Sequence, residues 1–82
     1  MKNFSLAIRN PEKTIFFGKA ASLYLQAEDG QIGILPDHAP LATVLSAGPI
    51  RYQLESGEEV KIDGAQGFLI VKNNRAVILF ET

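Results

Sequence analysis

Large apolar side chains return at every second position near the start of the chain, at Phe4, Leu6 and Ile8, with Ser5, Ala7 and Arg9 between them. A period of two puts the large groups on one face of a strand, and Asn10-Pro11 ends that strand with a turn signal. Residues 14–25 are rich in β-formers and carry Gly18 in the middle, where a bend or bulge costs least. Two short strands are therefore predicted there rather than one long one. Ala27-Glu28-Asp29-Gly30 reads as a turn in which Gly30 takes positive φ, Ile32 and Ile34 resume the alternation, and Pro36 and Pro40 bracket a loop. Residues 41–45 suit a short strand or a single turn, being too few for a helix that stands without tertiary support. Ile50, Tyr52 and Leu54 alternate again, residues 55–58 turn, and Val60 with Ile62 returns as a hairpin. A second hairpin joins residues 68–72 to 75–80 through Asn73-Asn74, because Asn tolerates the left-handed backbone region of a tight turn.

Short strands with frequent turn signals and no amphipathic helical window predict an all-β flattened sandwich or barrel. Two sheets must share their apolar faces, since a single sheet buries too little to offset the entropy of ordering the chain. With 82 residues, the sequence is the size of one domain and shows no internal repeat, linker or low-complexity tract. A domain this small offers little depth for an active-site cleft.

Composition narrows the function classes. The absence of cysteine removes disulfides, thiolate metal sites and thiol chemistry. Eight basic against nine acidic side chains leave a net charge of −1, which gives no electrostatic footprint for nucleic acid or anionic lipid. The longest apolar runs, 68–71 and 76–80, fall far short of a membrane span, and no basic-then-apolar leader follows Met1. The expectation is a soluble protein made and kept in the cytoplasm.

Candidate chemistry is sparse. His38, the only histidine, stands beside Asp37 in the Pro-bracketed loop, but adjacent loop residues do not orient one another as a catalytic dyad must, and no motif supplies a nucleophile. It reads as a structural or partner-contact residue. Glu28 and Asp29, like Glu58 and Glu59, sit on turns where carboxylates serve solubility and local hydrogen bonds. One histidine and scattered carboxylates match neither transition-metal spacing nor a calcium loop, so no metal is expected. Gly30 and Gly33 lack phosphate-loop spacing. Phe16, Phe17, Phe68 and Phe80 lie within apolar runs, as core side chains do. The residues thus describe a small β-domain whose work is contact with other proteins.

The segment Glu28-Asp29-Gly30-Gln31-Ile32-Gly33-Ile34-Leu35-Pro36-Asp37-His38-Ala39-Pro40-Leu41 resembles the signature of the epsilon subunits of F-type ATP synthases. Asn10-Pro11-Glu12-Lys13, Ala47-Gly48-Pro49-Ile50-Arg51 and Gly64-Ala65-Gln66-Gly67-Phe68-Leu69-Ile70-Val71, followed by Val77-Ile78-Leu79, match in the family's order, so the resemblance runs nearly end to end. It implies a sandwich of about ten short strands in two sheets. It also implies a non-catalytic rotor subunit that needs no cofactor. Such a subunit links gamma to the polar loops of the membrane c-ring, helps couple proton or sodium flow to ATP synthesis, and sits peripherally on the cytoplasmic face of the cell membrane. By that resemblance Asp37, His38, Ala39, Pro40, Leu41 and Thr43 contact gamma, while Glu28, Asp29, Gly30, Gln31 and Ile32 contact the ring.

Three departures follow. Asp37 stands where the family usually has glycine, which strains the loop if positive φ is required there. Gln31 stands where an acidic residue is common, replacing an ion pair with a neutral hydrogen bond. The helical hairpin that follows the sandwich in most members has no counterpart up to Thr82, so residues 1–82 are expected to form a single sandwich domain without ATP binding. The alternative is a β-sandwich binding module unrelated to a rotor, for which Tyr24 and Tyr52 are the candidate ligand-facing aromatics.

Overall fold

The computed structural model describes residues 2–82, and among them every regular element is a strand. In chain order these are β1 (Phe4–Arg9), β2 (Thr14–Ala27), β3 (Gly30–Ile34), β4 (Leu41–Leu45), β5 (Gly48–Leu54), β6 (Glu59–Gly64), β7 (Gly67–Lys72) and β8 (Arg75–Phe80). The all-β class is as the pattern predicts. The strands number eight, joined in one hydrogen-bonded network in the order β1-β8-β7-β4-β2-β5-β6, with β3 added to β2. Because β1 also pairs with β2, five of them close into a ring. Closure limits the exposed sheet edge that would otherwise invite aggregation.

The 14-residue β2 takes the place of the two short strands expected in residues 14–25. Gly18 does not break it; residues 14–20 are held by β1 and residues 20–27 by β5 and β3, so pairing on both sides overrides the glycine. The irregularity falls instead at Ala21, which has no partner between the Ala20–Leu54 and Ser22–Gln53 pairs. That extra residue reverses the phase of the strand: Phe16, Gly18 and Ala20 face inward before it, and Leu23, Leu25 and Ala27 after it. At its end β2 meets β4 through the Ala27–Leu45 bridge, where Glu28 N donates to Val44 O at 3.2 Å and Ser46 N to Gln26 O at 3.1 Å.

The core gathers one alternating face from each ring strand. Phe4, Leu6, Ile8, Leu23, Leu25, Leu69 and Ile78 are almost entirely removed from solvent, and among the described residues no charged or polar one is buried with them. Phe80 joins them as predicted, and Phe16 packs against Tyr52 with ring centroids 4.7 Å apart. Phe17 and Phe68 do not join them, since strand alternation turns both outward and leaves them 74% and 46% exposed. The turns follow sequence chemistry. Asn73 and Asn74 adopt φ of 53° and 59°, as the two-residue hairpin requires, and Gly30 adopts 129°.

Candidate functional site

The residues singled out by sequence fall into two groups at different ends of β4. Glu28 and Asp29 form the exposed tip of the β2–β3 hairpin, Gln31 is exposed opposite Gln26, and Ile32 is half-buried against the core. Leu45 faces Ala27 at the base of this hairpin, and Leu41 lies four residues away along β4, about 13 Å at the usual strand rise. The loop 36–40 leads into β4 at that far end.

One side chain ties the loop to the start of β1. Asp37 takes φ of 64°, the left-handed value that favours glycine, so the loop keeps that conformation with an aspartate in it. Its amide donates to Asn74 Oδ1 at 2.8 Å, while Asn74 Nδ2 donates to the carbonyl of Asn3 at 2.9 Å. Ser5 N donates to the Asn74 carbonyl at 3.2 Å. The loop, the β7–β8 turn and the start of β1 are thereby tied to one residue. Lys2 Nζ stands 3.6 Å from the Asp37 carboxylate, an exposed pair of little energetic weight.

His38 bonds within its own loop, its Nδ1 donating to the Ala39 carbonyl at 2.7 Å and its amide to Leu35 O at 3.2 Å. Ala39 and Pro40 are exposed, whereas Leu41 and Thr43 are half-buried on the inward side of β4. Among the described residues no group of three or more His, Asp or Glu is arranged to hold a metal.

Sequence reasoning missed the neighbouring outward positions. Ala42 and Val44 point out from β4 and pair across to Ile70 and Phe68. The cross-strand rows continue: Val44–Phe68–Leu79, and Ala42–Ile70–Val77–Ala7–Phe17. Val44, Phe68, Ile70 and Leu79 are each exposed by 38–46% and line a shallow groove of about 410 Å³. An apolar surface this continuous is more than the scattered exposed side chains of an ordinary small protein. The uninterrupted apolar runs 68–71 and 76–80 were the signal, because an alternating strand with apolar residues at every position has two apolar faces.

The tyrosines part company. Tyr52 points inward, and burial pushes its hydroxyl above the usual tyrosine range. Tyr24 points outward, covered by the Arg51 guanidinium 5.3 Å from its ring centroid and lying over Gly33, where a Cβ would come within 2.9 Å of the ring. They do not form one aromatic cluster, which removes the residue basis of the ligand-binding alternative.

Fold and geometry together define the class: a small closed all-β scaffold whose exposed features are surfaces rather than a cleft. The ATP synthase delta/epsilon chain β-sandwich domain matches residues 3–82, and the chain belongs to that family. It is 34% identical over 82 residues to an ATP synthase epsilon chain from Brevibacillus brevis, covering all of this chain and 62% of that one. It is 41% identical over 81 residues to another from Desulforamulus reducens, covering 99% and 61%. The chain thus spans about three-fifths of the length of these curated relatives. The fold superposes on a chain of the Euglena gracilis mitochondrial ATP synthase (OSCP, F1 and c-ring) with a TM-score of 0.92 at 18% identity, covering all of this chain and 52% of that one. It superposes on a chain of the Tetrahymena thermophila central stalk and c-ring with 0.80 at 17% identity, covering 95% and 63%.

Proposed function

We propose that this domain is a non-catalytic central-stalk element of an F-type ATP synthase, gripping gamma on one side and resting on the polar loops of the c-ring on another. The observation that carries the reading is the outward apolar face of β4, β7 and β8, which adjoins the loop 36–40 and leaves Val44, Phe68, Ile70 and Leu79 exposed to solvent. A continuous apolar surface of that kind marks a docking site. The supporting finding is family membership, together with relatives named ATP synthase epsilon chain.

On this reading Asp37, His38, Ala39 and Pro40 form the rim of the gamma contact. Pro36, Pro40 and the Asn74 bonds hold the loop in its docked shape before the partner arrives, so little ordering entropy is lost. Leu41 and Thr43 support the rim from beneath. Glu28, Asp29, Gly30, Gln31 and Ile32 meet the ring, with neutral Gln31 nearest its loops. Ring binding then weakens only slightly with added salt. The domain transmits torque by stiffness, as a sandwich cross-linked by non-local pairs has few soft modes. It works as a peripheral part of the complex at the cytoplasmic face of the membrane; among the described residues no helix is long and apolar enough to cross one.

The test is coexpression with gamma from the same organism and recovery of the complex. Ile70→Asp probes the face and His38→Ala the loop; Leu41→Asp is unsuitable because Leu41 packs against the core. Co-purification that Ile70→Asp abolishes, with the domain still folded, is expected. A folded wild-type domain that does not associate overturns the reading.

A further inference from the structure

The apolar face is bordered along one side by cations. Lys72 and Arg75 are directly opposite across the Asn73–Asn74 turn, Arg75 pairs with Ser5 on β1, and Ser5 pairs with Lys19 on β2. Alternation puts all four on the same outer side as Ile70 and Val77, one row beyond them. Lys72 and Arg75, with Ile70 and Val77, line a depression of about 200 Å³. Among the described residues none of the three cations has a carboxylate within ion-pair distance; the one ion pair joins Lys2 to Asp37, and Lys19 Nζ donates only to Ser5 Oγ at 2.9 Å.

Like charges directly opposite on a hairpin weaken it. In a chain of net charge −1, a carboxylate at position 72 or 75 would have removed that repulsion. A local rule broken without compensation inside the domain points to compensation outside it. The rest of the perimeter is mixed in charge: Arg9 pairs with Leu79, and Glu81, whose amide donates to Gln66 O, lies one row beyond. Only the border at Lys72, Arg75 and Lys19 is a continuous row of like charge.

We infer that Lys72, Arg75 and Lys19 form a cationic rim that pairs with carboxylates on the docked protein, so that the partner surface is an apolar ridge bordered on one side by acidic residues. This rests on the proposed docking to gamma and adds its electrostatic register. The apolar rows supply most of the affinity, and the rim fixes which way round the partner sits and speeds its arrival.

Lys72→Glu separates this from a structural role. It places a carboxylate opposite Arg75, turning a repulsive cross-strand pair into an attractive one, so the free domain melts at the same or a higher temperature. Binding of purified gamma, titrated at about 50 mM and about 300 mM salt, weakens with salt for the wild-type domain because exposed pairs are screened. Lys72→Glu binds about tenfold more weakly at low salt and loses most of the salt dependence. Phe68→Ala binds more weakly but keeps the wild-type salt dependence. If Lys72→Glu binds as tightly as wild type with the same salt dependence, the rim inference fails while docking stands. If wild type binds no gamma, or its face is occupied by a second copy of the chain in sedimentation analysis, both fail.

Discussion

Phe68 and Leu69 are adjacent in β7 and face opposite ways, so truncating each to alanine asks separately about docking and about folding. Phe68 is 46% exposed, or about 90 Å² of an aromatic side chain offering about 200 Å². Covering that area at about 25 cal/mol per Å² contributes about 2 kcal/mol, which is about 30-fold in Kd. Phe68→Ala therefore raises the Kd for gamma about 30-fold in a calorimetric titration. It leaves urea stability within about 1 kcal/mol, since the atoms removed are mostly solvated in the free domain. Leu69 has no exposed surface, and Leu69→Ala opens a cavity costing about 2–5 kcal/mol. In a domain of this size that lowers Tm by about 10 °C or more. At a temperature where the variant stays folded, its affinity for gamma is close to wild type. The reasoning is refuted if Phe68→Ala unfolds the domain without weakening the complex, or if both variants lose binding and stability in parallel.

Three further outcomes follow from particular contacts. Asn74→Ala loses the bonds to Asp37 N and the Asn3 carbonyl and strains a φ of 59°, lowering urea stability by about 2 kcal/mol, whereas Asn74→Gly relieves the strain alone and recovers about half. Equal losses for the two would contradict the division between strain and bonding. Gly67→Ala drives a Cβ against the Leu79 carbonyl oxygen with Phe80 Cα at 2.9 Å, both backbone atoms that cannot move aside, and costs about 3 kcal/mol in the same assay. An unchanged melting curve would show that the β7–β8 approach is looser than described. Tyr52 titrates higher when folded because burial disfavours its phenolate, so its contribution is full below the unfolded value near 10 and is lost as pH rises through the higher folded value. Stability therefore drops in that alkaline window, and Tyr52→Phe flattens the drop; an identical profile for the variant would assign it to another group.

Much of the fold was legible because local chemistry and global pairing agree. Phe4, Leu6 and Ile8 alternate cleanly and are buried together, and Asn73-Asn74 could serve little other than a left-handed turn. Residue type misleads at Gly18 because the continuity of β2 depends on partners distant in sequence, and the change of phase at Ala21 leaves no mark in residue type. It misleads at Phe17 and Phe68 for a related reason. Within Phe-Phe-Gly or Phe-Leu-Ile-Val every position is apolar, so hydrophobicity cannot say which alternate set faces the core. The candidate loop was visible as a Pro-bracketed segment, but its anchor, Asn74, lies 37 residues away. The outward face required knowing that β4, β7 and β8 are neighbours, which composition does not encode.

Docking through the outward face can be read from photo-crosslinking with a probe at position 70, taking position 61 on the solvated edge strand β6 as the comparison. With gamma present, a crosslinked product is expected from position 70 and none from position 61. Equal crosslinking from both, or from position 61 alone, would contradict docking through the β4–β7–β8 face.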